Sequence, residues 1–335
     1  MKLGFLSLPH EERRLYFAQA AARKNLSPVI LEKDFWVCWL LGILFRSEFA
    51  SSLVFKGGTS LSKVFGVIDR FSEDIDLSIS PNFLRMPEAG PSRNQANKWM
   101  ARAETACGIA VTTQIAPALE QAARNALGRP SALWFEYHTD LSTNSPVLLF
   151  HYPSTEPKGF DYLKRSVKLE FGSLTDQQPT GRHSIWPWIA ETLPTAFPDW
   201  QCEVVALEIK RTFWEKATIL HMEFHRPLTK PMPDRFARHY ADMASLAMNK
   251  AAREAVNDRE LCSRVVRWKS RYFGSSWANY DDAKPGTFRL VPPPGRLPAL
   301  RADYQAMRDM YLSEPMSLDA ILATLAILEA DINGK

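Results

Sequence analysis

The segment that most limits what this chain can become is Val54–Lys63, which reads Val-Phe-Lys-Gly-Gly-Thr-Ser-Leu-Ser-Lys. It is followed closely by Arg70–Ile79, Arg-Phe-Ser-Glu-Asp-Ile-Asp-Leu-Ser-Ile. Val54 and Phe55 read as a short buried strand. Gly57 and Gly58 then let backbone approach a phosphate closely. Thr59 and Ser60 stand where a helix would begin, and a helix start offers spare N–H groups and a positive dipole end to an anion. Ile75–Ile79 reads as a second strand. Side chains alternate along a strand, so Asp74 and Asp76 project from one face. By itself an Asp-x-Asp is a solvated strand end. Beside a phosphate-binding turn, it reads as the carboxylate pair of metal-dependent phosphoryl or nucleotidyl transfer. Two adjacent carboxylates repel, and a divalent cation removes that conflict while also binding phosphate oxygens.

The rest of the chain supplies a frame for this motif. Its 335 residues suit one large domain or about two, and 46 % apolar content is ample for real cores. Ser27-Pro28 is a good N-cap and first-turn pair, opening a helix that runs to Phe45. Residues 82–130 form a polar, Ala-rich helical insert, with helical spacing over Gln95–Cys107 and Pro117–Leu127. Strand-like runs follow at Leu133–Tyr137, Pro146–Tyr152 and Ser166–Phe171, with Val204-Val205 as a further short one. From Leu207 onward the spacing is helical, most clearly at Glu208–Glu223 and Arg235–Met248. The stretch 273–295, rich in Gly, Ser, Asp and Pro, reads as a long surface loop, and helices are expected at Pro298–Tyr311 and Ser317–Asn333. Strands first and helices later give an α+β fold: a catalytic lobe over 1–205 and a helical lobe over 206–335.

The first motif resembles that of the polymerase-β-like nucleotidyltransferases. More narrowly, the chain resembles the AbiEii/AbiGii toxin family, nucleotidyltransferase partners in bacterial abortive-infection and toxin–antitoxin pairs. The Gly57–Ser60 start and Arg70–Asp76 carry the likeness first. Phe213-Trp214-Glu215-Lys216-Ala217 is similar to the family's Glu-Lys pair early in a helix. Arg238-His239-Tyr240-Ala241-Asp242-Met243 is similar to its Arg/Asp text. Weaker echoes are Leu31–Trp36 and Leu169-Glu170, and the matches span roughly residues 30 to 245. The connection from Gly58 to Asp74 is longer than in many polymerase-β-like enzymes.

The resemblance implies NMP transfer from an NTP, with pyrophosphate release, in the presence of Mg²⁺ or Mn²⁺. Asp74 and Asp76 would hold the metal, with Glu170 as the third acid and Glu208 as the alternative. Gly57, Gly58, Thr59, Ser60 and Lys63 would bind the phosphates. For Ser60 and Thr59 the other reading is helix capping, and for Lys63 a solvated surface lysine. Lys216 lies on an otherwise apolar helix, so it needs an acidic partner or a ligand. The resemblance makes it an active-site cation reaching the NTP phosphates and makes Asp242 its partner, activating or orienting the acceptor hydroxyl. A purely structural Asp–Arg or Asp–Lys pair is the competing reading of Asp242.

Some family members modify tRNA acceptor ends, which makes tRNA the first acceptor to consider. Lys210, Arg211, Arg226, Lys230, Arg235 and Arg238 read as a cationic patch for such a polyanion, or as a plain charged helical surface. A net charge of +4 is compatible with nucleic acid without requiring it. A cognate antitoxin is the expected protein partner. Cys38, Cys107, Cys202 and Cys262 are scattered, so structural zinc is not expected and reduced thiols in the cytoplasm are. The start of the chain does not read as a signal peptide, and the longest apolar run, Phe35–Phe45, is too short to span a bilayer. Two other readings stay open: a small-molecule nucleotidyltransferase of the aminoglycoside-modifying kind, and a non-catalytic nucleotide-binding module of the same fold.

Overall fold

The computed structural model describes residues 4–87, 92–130, 132–141, 143–156 and 164–335. The described residues fall into two compact units. One draws on Met1–Val64, Ser72–Gly90 and Lys98–Ala206, the other on Phe65–Phe71, Pro91–Asn97 and Leu207–Lys335.

The first unit is built on a mixed seven-stranded sheet. Its strands are β1 (Leu53–Lys56), β2 (Ile75–Ile79), β3 (Phe135–Thr139), β4 (Pro146–Phe150), β5 (Val167–Gly172), β6 (Thr180–Ile185) and β7 (Cys202–Leu207). Their order is β3-β4-β5-β2-β1-β7-β6. β2 runs antiparallel to β1 and parallel to β5, while β3, β4 and β5 pair antiparallel. Register follows the hydrophobic alternation. Phe55, Ile75, Leu77, Leu169, Phe171, Leu148, Phe150 and Phe135 all enter one core. Asp76 lies between Lys56 of β1 and Glu170 of β5, on the opposite face.

The helix Pro28–Leu44 is buried almost all round: its apolar residues lie on every face, and even the charged Glu32, Lys33 and Asp34 are buried. Phe35 and Trp36 pack there with Phe5, Phe17, Trp39, Phe150 and Trp200 in mostly edge-on contacts. The helical insert is one run rather than two helices. Arg93–Ala110 passes through a π turn at Val111–Ile115 into Ala116–Leu127. Pro117 lacks an N–H and its ring crowds the carbonyl one turn back, and the wider turn relieves both.

Among its described residues the second unit is helical, with Ile209–Phe224, Ala237–Met248, Arg259–Tyr272, Leu297–Ala306 and Leu318–Asn333 as its longer helices. The stretch 273–295 is not a plain surface loop. Phe288 and Leu290 are fully buried, and the amides of Leu290 and Val291 donate to Glu329 on the last helix. The mixed sheet with its many helices bears out the α+β expectation.

Candidate active site

Two clusters of functional side chains form, one within each unit. In the first, Gly57 opens the helix Gly57–Lys63 with φ +81, a left-handed backbone that favours glycine. A second constraint is tighter. A Cβ at Gly57 would stand 2.0 Å from Asp76 Oδ2 and 2.8 Å from its Cγ. The Asp76 carboxylate therefore packs onto the backbone of the turn, and a side chain at position 57 would force it to move.

The two hydroxyls of the motif point inward. Thr59 is 1 % exposed; its Oγ1 donates to the Asp74 carbonyl at 2.5 Å and sits 2.9 Å from Ser72 Oγ. Ser60 Oγ donates to the Gly57 carbonyl at 2.8 Å. These bonds tie the turn to the aspartate segment and to itself. Lys63 departs from expectation. It is buried, its Nζ 2.8 Å from Asp34 Oδ1 and over the Trp188 ring. It is neither a solvated lysine nor an uncommitted phosphate ligand.

Asp74 precedes β2 directly. Burial and then the charge of Asp76 push its carboxyl up to about 6, against the opposing pull of Lys168 and Lys33. Glu170 is the register partner of Asp76, yet its Oε2 accepts from Lys168 Nζ at 2.7 Å, and Asp140 lies 3.8 Å from the same ammonium. No group of three or more His, Cys, Asp or Glu side chains among the described residues could hold a metal ion. Glu170, expected as the third acid beside Asp74 and Asp76, is ion-paired with Lys168 here. Glu208, the alternative, is the N-cap residue of the helix Ile209–Phe224.

The second cluster joins the helices Ile209–Phe224 and Ala237–Met248. Lys216 Nζ lies 2.7 Å from Asp242 Oδ2, so the buried lysine finds the acidic partner its apolar helix demanded. Arg70 grips the same carboxylate with both ends of its fork, Nε to Oδ1 at 2.8 Å and Nη2 to Oδ2 at 2.9 Å. Burial alone would raise the Asp242 carboxyl, but Arg70 and Lys216 outweigh it and hold it far below the usual carboxylate range. Burial lowers Lys216, with Asp242 opposing. Burial, and then Lys216 and Arg238, hold His239 neutral, so its Nδ1 accepts from Lys216 at 3.2 Å.

Neither Arg70 nor Lys168 carried a role in the sequence reading. Each had a signal: Arg70 opens the aspartate motif, and Lys168 is two strand positions from Glu170, on the same face. The cationic patch does not form as a continuous surface. Arg211 is fully buried against Glu215, Arg226 is paired with Glu223 beneath Trp277, and Lys210 is paired with Glu254. Lys230 and Arg235 are exposed. Among the described residues no helix is long and apolar enough to cross a membrane.

Comparison with known proteins fits this arrangement. No curated protein matches the chain. Among solved structures it is similar to MenT4, a nucleotidyltransferase toxin from Mycobacterium tuberculosis H37Rv. The likeness covers 95 % of this chain and 90 % of that one at 15 % identity and a TM-score of 0.51, a likeness of fold. The family model described as nucleotidyl transferase AbiEii toxin, type IV toxin–antitoxin system, matches residues 39–324. That span contains Gly57, Asp74, Asp76, Lys216 and Asp242, and the chain belongs to the AbiEii family of nucleotidyltransferase toxins.

Proposed function

We propose that this nucleotidyltransferase transfers an NMP from an NTP to an acceptor hydroxyl or phosphate at Asp74 and Asp76, releasing pyrophosphate. The packing of the Asp76 carboxylate on the Gly57 turn carries this reading, since it sets an acid directly against backbone suited to phosphate. Asp74 and Asp76 would hold a divalent cation, Mg²⁺ or Mn²⁺. Their all-oxygen donors suit a hard cation, and Asp74 and Asp76 are close enough for the charge of Asp76 to add to burial in raising the Asp74 carboxyl. When bound, that cation would neutralise charge on the phosphates during transfer.

The chain's own groups divide the remaining work. Backbone amides of Gly57, Gly58, Thr59 and Ser60 bind phosphate oxygens. We leave Lys63 out of this set, because Asp34 occupies its ammonium. Glu170 acts through Lys168 rather than as a direct metal ligand. Lys216, in the second unit, would be an active-site cation by likeness to the family, held by Asp242. Asp242 orients Lys216, since both of its carboxylate oxygens are engaged by Arg70 and Lys216.

The physiological setting is cytoplasmic growth inhibition or phage defence, neutralised by a cognate antitoxin. A tRNA is the first acceptor to test. A small-molecule acceptor gains weight from the structure, because three of the six cations once read as an RNA surface are buried or paired. Incubating the protein with each α-labelled NTP, Mg²⁺ and total RNA decides between them. Label in an RNA band supports the tRNA reading. Pyrophosphate release driven only by added small acceptors, with unlabelled RNA, overturns it.

A further inference from the structure

Three consecutive charged residues, Glu32, Lys33 and Asp34, sit inside the apolar helix Pro28–Leu44, at 0 %, 1 % and 3 % exposure. Buried charges carry a heavy desolvation cost, and apolar replacements of similar volume often stabilise a fold. Each of them is matched by polar partners, and each one grips a different segment. The Glu32 carboxylate accepts from the Thr155 amide and hydroxyl and from Ser154 Oγ. Lys33 Nζ donates to Glu73 Oε2 and to the Lys164 carbonyl. Asp34 holds Lys63 at the end of the glycine-turn helix and accepts from the Trp188 amide.

Two of these grips end on the candidate site. Glu73 is covalently next to Asp74, and Lys63 closes the helix that Gly57 opens. On its other side, Asp74 is tied through its carbonyl to Thr59. The aspartate segment is thus clamped between the helix Pro28–Leu44, through Lys33 and Glu73, and the glycine turn, through Thr59.

We infer that Lys33 is a positioning residue: its buried ammonium, gripping Glu73, fixes the direction in which Asp74 presents its carboxylate. The inference rests on the reading of Asp74 as a metal-holding acid. Groups that orient a metal-holding side chain typically change metal affinity or activity about 10- to 100-fold when removed.

The test is a mutant cycle of Lys33→Met, Glu73→Gln and the double variant, with Mn²⁺ affinity of the NTP-free protein, kcat and KM as readouts. Charge and geometry predict opposite signs for Lys33→Met. Removing a cation near Asp74 by electrostatics alone tightens Mn²⁺ binding, whereas loss of positioning weakens it. All three variants are expected to bind Mn²⁺ about 10-fold or more weakly. They should also lose kcat with KM for NTP little changed, the double variant no worse than the poorer single. The double variant removes the buried ammonium and the charge of its partly exposed partner together, so it decides the matter even where Lys33→Met fails to fold.

A folded double variant with wild-type Mn²⁺ affinity and kcat overturns the inference, as does tighter Mn²⁺ binding by Lys33→Met. Asp74→Ala separates the two layers of the argument. If Asp74→Ala still transfers NMP, the reading of the site falls. If Asp74→Ala is inactive while the double variant is normal, only the positioning role falls.

Discussion

Gly57→Ala is the sharpest perturbation the structure offers. The new Cβ would meet Asp76 Oδ2 at 2.0 Å, and ordinary contact begins at 3.4 Å, so turn and carboxylate must separate by about 1.4 Å. Asp76 is on a strand paired on both sides, so its side chain moves before its backbone does. A misplacement of about 1 Å in a catalytic constellation costs about 10²-fold in rate, or roughly 2.7 kcal/mol of barrier. The left-handed φ of +81 adds a separate stability cost of about 1–3 kcal/mol for a residue with a side chain. Urea unfolding and NMP transfer measured on the same preparation check both parts. The expected outcome is a folded protein, modestly destabilised, with kcat down about 100-fold or more. A folded Gly57→Ala protein with near-wild-type kcat would refute the claim that the Asp76 carboxylate acts from its place on this turn.

Two further perturbations follow from the charged groups. Asp74 has a folded-state value raised to about 6, above the ordinary carboxylate value near 4, so the folded state holds its proton more tightly than the unfolded state. Metal-free stability should then fall as pH rises from about 4 to 6. Asp74→Asn should flatten that part of the profile in urea unfolding, and parallel profiles would contradict the assignment. Asp242 is the opposite case. Its folded-state value is depressed, so its contribution is fully present above the ordinary carboxylate value and is lost as pH falls below it. Asp242→Asn leaves Arg70 and Lys216 buried without their anion, and should cost about 3–5 kcal/mol in unfolding at neutral pH. A loss below about 1 kcal/mol would place that pair in a far more polar setting than its burial indicates.

How much of this was legible in the sequence depended on the range of the contact. Ile75–Ile79 was readable because apolar alternation and register obey one local rule. That Lys216 needs a partner was readable because a lysine on an apolar helix must find an acid or a ligand, and the family resemblance pointed to Asp242 as that acid. Arg70 was not, since its bond to Asp242 spans 172 residues and no local pattern announces it. Lys63 misled because it follows a glycine turn, where lysines often meet phosphate. The phase of its short helix turns it toward Asp34 instead. Glu170 was singled out as an acid, but Lys168, the cation paired with it, carried no role in the sequence reading. The strand Thr180–Ile185 at the end of the sheet escaped notice because Thr-Gly-Arg-His-Ser-Ile has no apolar alternation.

The central claim is that Asp74 and Asp76 carry the transfer. The most direct measurement follows label from an α-labelled NTP into acceptor, with wild-type protein beside Asp74→Ala/Asp76→Ala, each shown to be folded by circular dichroism and urea unfolding. The account predicts transfer by the wild type and none above background by the double variant, a loss of several kcal/mol of transition-state stabilisation on the order expected for removed metal ligands. Near-wild-type turnover by the folded double variant would contradict it and move the chemistry away from the Gly57 turn.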